Sequence, residues 1–132
     1  MTIYRFDFGA RYSRRDVARL VGMSDLPKGG PWLTGYAQHE GSYFIFCGVG
    51  VPGRTGHYYE NYFEGEDLVW SGKTGSRKNQ PMIAAMIDVS VEVHIFWRGN
   101  DRDDFSYAGL GRAVWVSDDV PVRVRWRFPK DQ

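Results

Sequence analysis

Apolar and polar positions alternate most strictly near the end of the chain. Val120, Val122, Val124, Trp126 and Phe128 fall on one face of an extended segment, and Arg123, Arg125 and Arg127 on the other. The same period of two runs through Val91, Val93, Ile95 and Trp97, so residues 89–97 and 120–128 are predicted strands. Residues 105–116 read as a third strand between polar turns at 100–104 and 117–119. Earlier, residues 32–39 and 42–49 form a predicted hairpin around Glu40-Gly41, with Tyr43 to Cys47 running through the middle of the sheet, and 67–71 is a further short strand. Helical spacing occurs twice. Ser13 caps a turn completed by Asp16, with Val17, Leu20 and Val21 as its apolar stripe and Gly22 as its stop. Asn79 caps a second, with Pro81 in its first turn and Met82, Ile83, Met86 and Ile87 repeating. The expectation is a single α+β domain over residues 1–132: a small, strongly curved antiparallel sheet or half-open barrel, wet on one side, with two short helices.

Composition narrows the function. Seventeen Lys and Arg against sixteen Asp and Glu leave a net charge of +1, so the total is no polyanion signature and any such signal lies in the distribution. The one cysteine, Cys47, sits in an apolar run and reads as an inert buried thiol. His39, His57 and His94 are scattered without metal-ligand spacing, and no Asp … Glu-x-Lys set follows the acids at 60–67. The expectation is a protein that is not an enzyme and takes no cofactor and no metal. No apolar run approaches membrane-spanning length and no leader opens the chain, which predicts a cytoplasmic protein without a membrane partner.

The chemistry concentrates at 57–79. Tyr58, Tyr59, Tyr62, Phe63 and Trp70 precede a Gly/Ser/Thr segment that carries Lys73, Ser76, Arg77 and Lys78. Rings can hold an unstacked base by its π-face while a basic loop holds the neighbouring phosphates. Tyr59, Tyr62, Trp70 and Trp97 are the candidate pocket rings, against the plainer role of core packing. Lys73, Arg77 and Lys78 are the candidate phosphate ligands, Arg98 a cation at a strand end, and Ser71 or Asn61 a partner for a base edge. Arg14, Arg15, Arg19, Arg123, Arg125 and Arg127 offer further phosphate contacts or simply wet surface. The same rings also suit a peptide or a sugar, so a protein-interaction or carbohydrate-binding module is the alternative.

Five segments carry a family resemblance: Tyr59-x-x-Tyr62-Phe63, Leu68-Val69-Trp70-Ser71, Val93-His94-Ile95-Phe96-Trp97-Arg98, residues 104–111 with Phe105-Ser106-Tyr107, and Val120-Pro121-Val122-x-Val124-x-Trp126. In order and spacing, over about residues 12–128, they resemble a domain found at the C-terminus of helicase-like restriction proteins and beside HNH nucleases. Val69 stands where that family carries His before the Trp, and Gly72-Lys73 where it carries Gln-Ser and a polar residue. The resemblance implies a reader of modified DNA, 5-methylcytosine foremost, in modification-dependent restriction. Its partner would be methylated double-stranded DNA, with any nuclease or helicase supplied by another chain.

Overall fold

The computed structural model describes residues 4–50 and 61–130. The predicted pocket ring Tyr59, with Tyr58 and most of the glycine-rich loop at 48–56, lies outside the described residues. Two sheets and two helices make an α+β fold, with the larger sheet curled into a half-barrel. Its five strands are ordered β1 (Arg11–Tyr12), β7 (Phe105–Leu110), β6 (Glu92–Arg98), β3 (Ser42–Gly48) and β2 (Tyr36–His39). The smaller sheet is antiparallel, in the order β4 (Tyr62–Glu64), β5 (Asp67–Ser71), β9 (Arg123–Arg127) and β8 (Arg112–Val116).

Local signals act where they were read. In α1 (Arg14–Leu20), Ser13 Oγ accepts from the Asp16 N–H at 3.0 Å while Asp16 Oδ2 accepts from the Ser13 N–H at 2.9 Å. At its other end Gly22, at φ 97°, turns the chain so that Met23 and Gly22 donate to the carbonyls of Ala18 and Arg19. Glu40 and Gly41 both take positive φ, the two-residue turn that matches strand twist and joins β2 to β3.

Four expectations are corrected. The larger sheet is not wholly antiparallel, because β3 and β6 run parallel in register from Ser42↔Glu92 to Gly48↔Arg98. Residues 105–116 do not form one strand. They break at Gly111 and continue into the other sheet, and a Cβ there would lie 2.5 Å from Ile95 Cδ1. Residues 31–33 form a 3-10 turn, so β2 begins only at Tyr36. Gln80 rather than Asn79 precedes α2 (Pro81–Met86), and its Oε1 accepts from the Arg77 N–H.

The larger sheet is buried on both faces. Ile45, Cys47, Val93 and Ile95 meet Leu68, Trp70, Val122, Val124 and Trp126 of the smaller sheet and Ile83 and Met86 of α2. On the opposite face Phe44, Phe46, Phe96, Phe105 and Tyr107 meet Phe6, Trp32 and Val17, Ala18 and Val21 of α1, while Leu20 of the predicted stripe stays exposed. Burial on two sides is what parallel pairing requires, since neither face of that pair is left to water. Cys47 is buried, and its thiol is pushed up to about 12 by desolvation.

Candidate nucleic-acid interface

Because β3 and β6 are parallel, their last residues, Gly48 and Arg98, arrive at the same end of the molecule. The Val49 N–H continues the ladder to the Arg98 carbonyl at 2.9 Å. Asn61 fastens the smaller sheet to this end. Its Nδ2 donates to the Gly48 carbonyl at 2.9 Å, and its Oδ1 accepts from the Ser71 N–H at 2.8 Å. The Gly50 N–H in turn donates to the Asn61 carbonyl, so the chain leaves and re-enters the described structure at adjoining points. Asn61 is 5% exposed and both sides of its amide are engaged, which makes it a clasp rather than a reader of base edges.

Four of the sequence candidates gather here. Tyr62 is 42% exposed, with the Arg123 guanidinium 5.9 Å from its ring centre. Trp97 is half-buried and meets the exposed ring of Phe63 edge-on at 5.1 Å. Arg98 lies over Phe105 at 4.2 Å and donates to the Asp103 carbonyl at 3.2 Å. Ser71 closes β5 beside Asn61.

Lys73 follows directly. Its stem rests on Gly35, its Nζ donates to Thr34 Oγ1 at 3.2 Å and stands 4.5 Å above the Tyr36 ring, and burial holds its ammonium below the ordinary lysine range. Among the described residues no carboxylate pairs with it. A cation carried on a π-face without an acid partner keeps its outward field.

The remaining candidates have other positions. Trp70 is 3% exposed and packs on Tyr36 at 5.4 Å and on Trp126 at 6.3 Å. This corrects the pocket-ring expectation, since Trp70 shares with Leu68 the face of β5 that packs into the core between the sheets. Ser76 is also buried. Its N–H donates to the Lys73 carbonyl, its carbonyl accepts from Val122, and a Cβ on Gly72 would overlap its Oγ, so it fixes the loop's shape and offers nothing to solvent. Arg77 is exposed, and Lys78 is paired with Asp118 at 2.5 Å. The arginines of β9 are committed. Asp67 accepts from Arg125 Nε at 2.7 Å and from Arg127 Nε and Nη2 at 3.1 and 3.0 Å, while Glu64 takes Arg125 Nη1 at 2.6 Å. Both arginines lower the Asp67 carboxyl, Arg127 first.

Sequence reading missed Thr34, Gly35 and Tyr36 as the seat of Lys73. The signal available was Gly35, whose φ of 131° and bare Cα let the lysine stem lie against the backbone. It also missed that His94, alternating with apolar neighbours, is wholly buried against the Tyr107 hydroxyl at 2.9 Å and stacked on Phe44. Among the described residues no group of three His, Cys, Asp or Glu could hold a metal, and no helix is long and apolar enough to cross a membrane.

No curated protein matches the sequence. Solved structures share its fold. SUVH5 SRA in complex with hemi-methylated CG DNA superposes with a TM-score of 0.66 at 14% identity, covering 99% of this chain and 94% of that one. SUVH5 SRA in complex with methylated CHH DNA gives 0.60 at 15% identity, covering 100% and 97%. In sequence, residues 6–127 match the model of a family described as a domain of unknown function, DUF3427, and the chain belongs to that family.

Proposed function

We propose that this chain binds methylated DNA without catalysing a reaction on it, at the end of the half-barrel where Arg98, Trp97, Tyr62 and Lys73 assemble. The observation that carries the reading is the fold, shared along nearly the whole of both chains with SUVH5 SRA in complexes with methylated DNA. The local chemistry agrees with it. Tyr62 and the Phe63–Trp97 pair offer ring surface, Lys73 and Arg77 offer positive charge, and Tyr59 belongs to the segment that joins Gly50 to Asn61. Stacking on rings returns about 1–3 kcal/mol per base, comparable with the few kcal/mol that unstacking a base costs, so a modified base taken out of the duplex is held at little net expense. A methyl group on the base then adds about 1 kcal/mol where it is well packed. In this reading the domain is the recognition part of modification-dependent restriction, and a nuclease or helicase acts from another chain.

Fluorescence-anisotropy titration with matched unmodified, hemi-methylated and fully methylated duplexes at several salt concentrations tests this. Tighter binding of methylated duplex, with affinity falling steeply as salt rises, is expected. Equal affinity for all duplexes removes the modification, and no binding at low salt removes DNA. Salt-insensitive binding of a peptide or sugar instead would favour the alternative use of the same rings.

A further inference from the structure

Successive residues of a strand point to opposite faces, and β8, the edge strand of the smaller sheet, departs from that rule. Its pairing with β9 runs Arg112↔Arg127, Ala113↔Trp126, Trp115↔Arg125 and Val116↔Val124, so Val114 is an extra residue in the ladder. A bulge of this kind sets two consecutive side chains against one residue across the sheet. Val114 and Trp115 therefore stand together opposite Arg125, and both are exposed, at 39% and 51%. Their face is the outer one, because Val124 and Trp126, on either side of Arg125 along β9, are wholly buried in the core. Trp is among the residue types in which binding energy concentrates at interfaces, and a bulge re-aims side chains to such ends.

The charge around this pair is one-sided. Arg125 lies between Trp115 and Val69 in one row of the sheet, and Arg112 and Arg127 sit side by side in the next row of the same face. Asp67 and Glu64 of this face already accept from Arg125 and Arg127, whereas Arg112 is exposed and among the described residues makes no ion pair. The surplus positive charge selects the occupant. A second copy would bring the same cations against themselves, and the bulge interrupts the ladder through which two sheet edges would pair. A DNA backbone would meet the fixed carboxylates of Glu64 and Asp67 and would leave Val114 and Trp115 without an apolar cover. A polypeptide that alternates carboxylates with apolar side chains fits both halves of the patch.

We propose that the β8 edge of the smaller sheet docks an acidic segment of a partner protein, with a carboxylate of that segment on Arg112 and its apolar side chains over Val114 and Trp115. Trp115 and Tyr62 end the same row of residues three strand spacings, about 14 Å, apart, so the surface is distinct from the strand ends assigned to DNA. It stands or falls without that reading.

The test is a titration of the ¹⁵N-labelled chain with three short acetylated peptides, one alternating glutamate with leucine, one lysine with leucine and one glutamate with serine. The glutamate–leucine peptide should shift the Trp115 indole N–H and the amides of residues 112–116 saturably, about tenfold more tightly than either of the others, and less tightly as salt rises. Arg112→Gln should weaken it about fivefold and Trp115→Ser about tenfold or more. Both side chains are exposed, and if Trp115→Ser does not fold, Arg112→Gln and the ranking of the peptides decide. No saturable shift, equal binding of the three peptides, or shifts confined to other residues would overturn the proposal. Shifts at residues 112–116 on adding duplex DNA alone would give the face to DNA, and concentration-dependent shifts there in the free chain would give it to a second copy; either result overturns it as well.

Discussion

Cations in this molecule are held in two opposite ways. Arg125 and Arg127 on β9 are held by carboxylates, three hydrogen bonds to Asp67 and one to Glu64, so their charge is cancelled where it stands. Lys73, near the end where β3 and β6 finish, lies instead on the face of Tyr36, and among the described residues no carboxylate pairs with it. A carboxylate neutralises; a ring only positions. The arginines of the Asp67 cluster therefore stiffen the smaller sheet, and Lys73 keeps its charge. This separates residues that sequence alone treats alike, since all three are basic residues at or near strands.

The comparison can be broken most severely from beneath. Trp70 supports the Tyr36 ring on which Lys73 rests, and Trp70→Ala should cost about 4 kcal/mol of stability in urea unfolding by leaving a cavity between the sheets. A loss below 1 kcal/mol would mean the ring is not packed as described.

His94 sharpens the contrast as a third solution, a titratable ring taken from water by giving up its charge. Burial moves it from 6.5 to about 4. Between those values the unfolded chain binds a proton that the folded one refuses, so its contribution is complete above pH 6.5 and lost as pH falls towards 4, by about 3 kcal/mol at most. Glu92, shifted up by its own burial, titrates in the opposite sense and offsets part of this. Melting temperature followed against pH should fall on the acid side, and His94→Gln should flatten that limb. Parallel curves for the two proteins would contradict the assignment.

Asp67→Asn comes next. It removes the charge that unites Arg125 and Arg127 and should cost about 2 kcal/mol, with DNA affinity unchanged. A large loss of DNA binding in a folded Asp67 variant would place the interface on β9 instead. Smallest in stability is Lys73→Ala, under about 1 kcal/mol. It should weaken every duplex by about fivefold, methylated or not, and lower the salt dependence by about one counterion. Loss of methyl discrimination alone would reverse the role given to it.

Much of the fold was legible because the signals are local. The Ser13–Asp16 capping pair, the Glu40-Gly41 turn and the alternation of Val122, Val124 and Trp126 each depend on residues within a few positions of one another. What was not legible depends on distance in sequence. Alternation with period two is the same for parallel and antiparallel strands, and the unbroken apolar run from Tyr43 to Cys47 marks a strand buried on both faces without naming the partner or direction of its pairing. Asp67 and its arginines are 58 and 60 residues apart, and nothing along the chain distinguishes a paired arginine from one facing solvent. The run 105–116 keeps its apolar character across Gly111, so the change of sheet shows only once Ile95 is packed against that glycine. For the candidate site, the clustering of rings and cations was visible, but which ring turns inward was not: Tyr62 and Trp70 are equally aromatic and differ only in which side of the smaller sheet they occupy.

The clasp formed by Asn61 has an evolutionary corollary. With Gly48, Gly50 and Ser71 all tied to one asparagine, the strands on either side keep their register whatever sequence connects residue 50 to residue 61. Lengthening a connection whose ends are already joined adds only a logarithmic entropic cost, about 0.6 kcal/mol per doubling. A chain with this asparagine can therefore exchange the intervening residues without redesigning the scaffold.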